Sequence, residues 1–193
     1  MSMEHKAFVF DTKKFHTDIE PVMKESIRDI GIARQYISGH LGELQSPYTG
    51  DTLEDGWEAE FGDLTLQECF DILLTACYDV DDDCGLSDMW DAVNEVTGSL
   101  EDFYGDVMPV LGRGIEIDGV TVDPGMQGLG IVESDEVASI LAKLKDNREE
   151  AENAEPEDLL YEAEPEEWIE AYDSLCDLYE EASQQGKGLL FTF

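Results

Sequence analysis

The sequence predicts an α+β domain, with a small mixed sheet packed against five or six helices. Three observations predict it. Apolar residues alternate through Ile115–Ile117 and Val120–Val122 on either side of Asp118-Gly119, a residue pair suited to the positive φ angles of a tight hairpin turn. A helical stripe runs from Pro165 to Gln185, stops at Gly186 and is followed by the apolar run Leu189–Phe193. Several shorter stripes with apolar residues at three- and four-residue steps each follow a residue suited to capping a helix. Of the 193 residues, 42% are hydrophobic, enough to build a core for a single domain spanning 1–193.

Taken in order, Ala7–Phe10 reads as a strand, and Asp11 and Thr12 turn the chain. Ile19, Val22, Met23, Ile27, Ile30 and Ile37 then mark one helix, capped by Thr17 or Asp18, with Pro21 in its first turn and its end near His40. Residues 45–64 are rich in turn formers and read as a loop anchored by Trp57 and Phe61. Thr65 and Glu68 form a capping box ahead of a core helix, Leu66 to Tyr78. Asp79 to Gly85 is an acidic loop. An EF-hand would need glycine at its sixth position and glutamate at its twelfth, and neither register supplies them.

Ser87 is expected to cap a helix over Asp88–Val96, and Leu100–Val107 a second, short one. After the hairpin, residues 123–130 are glycine-rich. They contain G-M-Q-G-L-G, whose spacing differs from a dinucleotide loop and which has no basic residue to meet a phosphate, so a flexible connection is the reading. Ser134 caps a helix from Asp135 to about Arg148, with basic residues in the last turn where the dipole favours them. Residues 149–157 read as an acidic linker, and Glu157–Ala163 as a short helical piece. Trp168, Ile169, Tyr172, Leu175, Cys176 and Tyr179 form the inward stripe of the final helix. Leu189, Leu190 and Phe191 are expected to be buried in a strand at the centre of the fold.

The residues 112–193 resemble the YfbM-like family of uncharacterised bacterial proteins. The resemblance lies in the glycine-rich approach and the run Ile131-Val132-Glu133-Ser134-Asp135-Glu136-Val137-Ala138. It continues in Ala171-Tyr172-Asp173-Ser174-Leu175-Cys176-Asp177-Leu178-Tyr179 and Gln185-Gly186-Lys187-Gly188-Leu189-Leu190. It implies an α+β domain without established enzymatic activity and supplies no catalytic residue.

Charge bears most directly on function. The chain holds 47 acids and 11 bases, a net charge of −36, and residues 1–48 contribute only −1 of it. Such a field repels nucleic acid and anionic membranes and attracts basic surfaces. No run is long and apolar enough to span a membrane, and no secretory leader is apparent, so a cytoplasmic protein is expected. Cys69, Cys77, Cys84 and Cys176 form no C-x-x-C pair, and His5, His16 and His40 all lie in the near-neutral first quarter. No nucleophile motif, phosphate loop, metal set or cofactor site is found. The resulting expectation is a non-enzymatic acidic protein that binds a basic protein, of the immunity-inhibitor type. A carboxylate-rich, metal-assisted enzyme and a mimic of the DNA backbone are the alternatives. The residues expected to make contact are Asp79, Asp81, Asp82 and Asp83, and the outward acids Glu162, Glu166, Glu167, Glu170 and Asp173.

Overall fold

Strand β5 (Gly188–Thr192) lies between β1 (Lys6–Phe10) and β4 (Leu129–Val132), antiparallel to both. This computed structural model describes residues 4–62, 64–103, 107–122, 128–154, 156, 159–161 and 163–193. Lys6 pairs with Thr192 and Phe10 with Gly188, while Leu129 pairs with Thr192 and Val132 with Leu189. Because side chains alternate along each strand, every strand serves two cores. Ala7, Val132, Leu189 and Phe191 face one cluster, and Phe8, Phe10, Ile131 and Leu190 face the other. The sheet is therefore a partition with helices on both sides, and Leu189, Leu190 and Phe191 are buried as expected.

The first core is closed by α6 (Trp90–Ser99), α7 (Val137–Asp146) and α9 (Pro165–Gln185). Helix α9 is held at both ends by its own sequence. Pro165 occupies the first turn, where its missing N–H costs nothing. At the other end Gly186 adopts φ 65°, and the amides of Gly186 and Lys187 donate to the carbonyls of Ser183 and Ala182, as in a Schellman stop. The buried hydroxyls of Tyr172 and Tyr179 donate to the carbonyls of Leu144 and Pro109 at 2.7 and 2.8 Å, so the apolar stripe leaves neither of them unsatisfied.

The second core lies under the N-terminal helices, α5 (Leu66–Leu74) and the hairpin β2 (Ile115–Ile117) and β3 (Val120–Val122). The capping box of α5 is present, with Glu68 N–H donating to Thr65 Oγ1 and Thr65 N–H to Glu68 Oε2. Asp118 and Gly119 both take positive φ, 49° and 79°, the pairing of a type I′ turn.

Several expectations are corrected. The three-stranded sheet is antiparallel throughout rather than mixed, and the hairpin forms a separate two-stranded ladder. Its lead-in residue Arg113 still exchanges backbone hydrogen bonds with Ile131 of β4. The third strand comes from the glycine-rich stretch instead. A Cβ on Gly130 would collide with the Leu111 carbonyl oxygen, so glycine here permits two backbones to cross closely. Residues 123–127 lie outside the described residues.

The single N-terminal helix is divided. Helix α1 (Thr12–Lys14) starts at Asp11, whose carboxylate accepts from Lys14 N–H, and a wider π turn covers Phe15–Ile19. Helix α2 (Glu20–Ser26) follows, and its Pro21 has no N–H to offer the preceding turn, which the widened helix accommodates. Asp29 then caps α3 (Ile30–Gly39) by accepting from Gly31 N–H, which places Gly31 in a first turn rather than mid-helix. The loop after α3 is anchored by Trp57, as expected, and carries a short turn, α4 (Glu58–Phe61).

Neither Ser87 nor Ser134 is a cap. Ser87 takes φ 48° and bridges to His5, and α7 begins after Glu136. The acidic linker near 149–157 is instead helical at its start, as α8 (Arg148–Glu152), because Ala151 is wholly buried. The expected helix over Leu100–Val107 is a 3₁₀ turn at Glu101–Phe103, with 104–106 outside the described residues. The piece expected over Glu157–Ala163 is not helical at 159–161 or at 163, and its other positions lie outside the described residues.

Candidate functional site

The aspartate-rich loop after α5 is placed by the edge of the sheet. With β5 on one side, β1 turns the amides of its odd-numbered residues the other way. The loop supplies their partners: His5 N–H donates to Ser87 O, Ala7 N–H to Asp83 Oδ1 at 3.1 Å, and Cys84 N–H to Ala7 O at 2.8 Å. Asp11 N–H donates to Cys77 O at 2.9 Å. Asp83 Oδ1 also accepts from Gly85 N–H, and a Cβ on Gly85 would collide with the His5 carbonyl, so the loop lies hard against the strand. Val9, between these plugs, lines a cleft of about 860 Å³.

Gln45 fixes the far wall. Its Nε2 donates to Asp79 Oδ1 and its Oε1 accepts from Val80 N–H, both at 3.1 Å, while Asp79 Oδ1 also accepts from Asp81 N–H. Asp81 reaches across to Gly50, where a Cβ would meet its carboxylate. Lys14, Glu43 and the end of α9, with Glu181, Gln185 and Lys187, complete the walls. Seven carboxylates, those of Asp11, Glu43, Asp79, Asp81, Asp82, Asp83 and Glu181, thus face two lysines across one cavity. Among the described residues none of the seven is in an ion pair.

Thiol chemistry is disfavoured here. Burial pushes the Cys77 thiol up to about 12. Cys84 is also raised, by partial burial and then by Glu181, Asp83 and Asp82, although it is exposed. A thiol that stays protonated is a poor nucleophile. Among the described residues no group of three or more His, Cys, Asp or Glu is placed to hold a metal ion, and no helix is long and apolar enough to cross a membrane.

The structure separates the expected contact residues. Asp79, Asp81, Asp82 and Asp83 are exposed and share the cleft. Glu166, Glu167 and Glu170 are exposed on the first half of α9, whereas the cleft meets that helix at Glu181 and Gln185. Glu167 is further committed to the helix start, its Oε2 accepting from Glu164 N–H. Asp173 accepts with both its oxygens from the Arg148 guanidinium, so a basic partner would compete with Arg148 for it. Glu162 lies outside the described residues. Asp11, Glu43, Gln45 and Glu181 were not expected. Glu181 did leave a signal, since a carboxylate near the C-terminal turn of a helix opposes the dipole and α9 has no basic residue in its last turn.

Comparison of the chain with protein-family models, curated proteins and solved structures finds no match. The reading of the cleft therefore rests on its geometry and charge.

Proposed function

We propose that the protein is a non-enzymatic binding protein whose acidic cleft receives a basic surface of another protein, as an inhibitor of the immunity type would. The supporting observation is the set of seven carboxylates, none in an ion pair among the described residues, around one cleft on a chain of net charge −36. Unpaired charge at such density contributes mainly through long-range steering, which raises association rates by roughly 10–10³-fold. Val9 adds a directional element. Strand alternation turns its N–H and C=O into the cleft, where an extended segment of the partner can hydrogen-bond to them. The resemblance of residues 112–193 to the YfbM-like family extends the proposal to a bacterial, cytoplasmic setting.

The test is association with basic probes, a basic ribonuclease and poly-arginine, followed by biosensor across a salt series. Binding is expected at low salt and should weaken steeply as salt rises. The triple variant Asp79→Asn, Asp81→Asn, Asp82→Asn is expected to associate at least about tenfold more slowly. The double variant Glu166→Gln, Glu170→Gln should behave as the parent. No association with either probe at low salt, or equal loss in both variants, refutes the reading.

A further inference from the structure

His16 stands where three segments meet at one end of the sheet. At that end β1 finishes at Phe10, β5 begins at Gly188 and β4 finishes at Val132. A Cβ on Gly188 would collide with the Val132 carbonyl oxygen and with the methyl carbon of Thr12. Thr12 opens an N-terminal arm of α1, the π turn and α2, which buries Phe15, Ile19 and Met23 in the second core. The π turn carries His16 with its side chain 46% exposed. Its Nδ1 lies 2.6 Å from Glu20 Oε2 at the start of α2, and its Nε2 lies 3.0 Å from Glu133 Oε1 in the connection between β4 and α7. The first contact is local, whereas the second joins residues 117 positions apart. Glu133 is itself held in place, since its N–H donates to Glu136 Oε2 while Glu136 Oε1 accepts from Arg113.

Both ring nitrogens thus face carboxylate oxygens. A neutral imidazole has one N–H, so one of the two contacts would set a lone pair against a carboxylate, and only the imidazolium donates to both. Among the described residues these two carboxylates are the charged groups that act on the ring, and the Phe15 ring meets it edge-on at 5.0 Å. Partial burial works against the charged form, but the hydrogen bonds and charges of Glu20 and Glu133 outweigh it and raise the His16 pKa above 6.5. We propose that His16 is a proton-operated clasp between the N-terminal arm and the β4–α7 connection, closed while the imidazolium bridges Glu20 and Glu133 and open at Glu133 once the ring loses a proton. The remaining proton stays on Nδ1, where the shorter, local contact retains it, and the Nε2 lone pair is then turned against Glu133. Asp11 and Lys14, at the head of the same arm, line the acidic cleft, so the clasp steadies one cleft wall whatever the cleft receives. Its contribution is full below about pH 6.5 and is lost as pH rises through the higher folded pKa.

The test is an NMR titration of the full chain with ¹⁵N-labelled histidine, joined to amide hydrogen exchange at pH 5.5 and pH 8.5. In the parent, the His16 ring should titrate above the value of free histidine, and its neutral form should carry the proton on Nδ1. Protection of the amides of Phe15–Ile19, corrected for intrinsic exchange rates, should fall roughly two- to fivefold from pH 5.5 to pH 8.5, the range expected of an exposed ion pair. Glu133→Gln, at a partly exposed position, should lower the His16 midpoint and abolish that change, because a side-chain amide offers the ring a partner in either protonation state. Glu20→Gln should also lower the midpoint. An unchanged midpoint in Glu133→Gln overturns the proposal. So does a neutral ring protonated on Nε2, which is read in the parent without any substitution. Protection that is constant with pH in the parent, or that falls equally in Glu133→Gln, overturns it as well.

Discussion

His5 is 1% exposed and ties together three segments distant in sequence. Its Nδ1 accepts from Leu86 N–H at 3.1 Å, so the ring proton is on Nε2, which donates to Val110 O at 2.8 Å. The ring also packs on Phe191 and Phe193, with centroids 5.5 and 5.6 Å away. Replacing it by alanine leaves a buried amide and a buried carbonyl without partners. At about 1–3 kcal/mol for each, His5→Ala should cost roughly 2–6 kcal/mol at pH 7.5. The cost should also depend on pH. Burial lowers the His5 pKa below 6.5, against smaller raising effects from the Val110 carbonyl and Asp83. The unfolded chain therefore takes up a proton at a pH where the folded one does not. The His5 contribution is full above about 6.5 and is lost as pH falls toward the lower folded pKa, at up to about 1.36 kcal/mol per pH unit. Urea unfolding of the parent and His5→Ala at pH 7.5 and pH 5.5 measures this difference. The stability gap between the two proteins should narrow at pH 5.5. A gap that is constant, or that widens toward acid, refutes the neutral, hydrogen-bonded role assigned to His5.

Three further perturbations test the architecture. Leu190→Ala, in the central strand, should lose about 2–5 kcal/mol in the same assay, and truncation after Gly186 should give a chain without a cooperative thermal transition. Gly130→Ala should prevent stable folding or lower the melting temperature sharply, because the neighbour its Cβ meets is backbone rather than a movable side chain.

The elements legible in the sequence are those whose ends are written locally. Pro165 and Gly186 bracket α9, Asp118-Gly119 fixes the hairpin, and Thr65 with Glu68 starts α5. The elements that were not legible depend on distant neighbours. Gly130 marks a strand only because the Leu111 backbone crosses it, and the Asp83 loop covers an edge whose strand lies some seventy residues earlier in the chain. Asp29 ahead of Gly31 was a readable cap that the long isoleucine spacing obscured.

The site divides in the same way. The cluster Asp79–Asp83 was visible as a charge run, but its closure by Gln45, Glu43 and Glu181 is a matter of tertiary placement.

The partition joins positions 6–10 to positions 188–192, and this has a consequence for how the chain reaches its fold. Helices and the hairpin can form from neighbours, on microsecond timescales. The β1–β5 ladder cannot, because it closes a loop containing nearly every other element. Loop closure adds only about 0.6 kcal/mol for each doubling of length, so the arrangement costs little at equilibrium. Its effect is on time: pairings so remote in sequence slow folding towards the millisecond-to-second range. Until they form, two half-built cores expose their apolar faces together, and the repulsion among 47 carboxylates is what keeps such chains apart from one another.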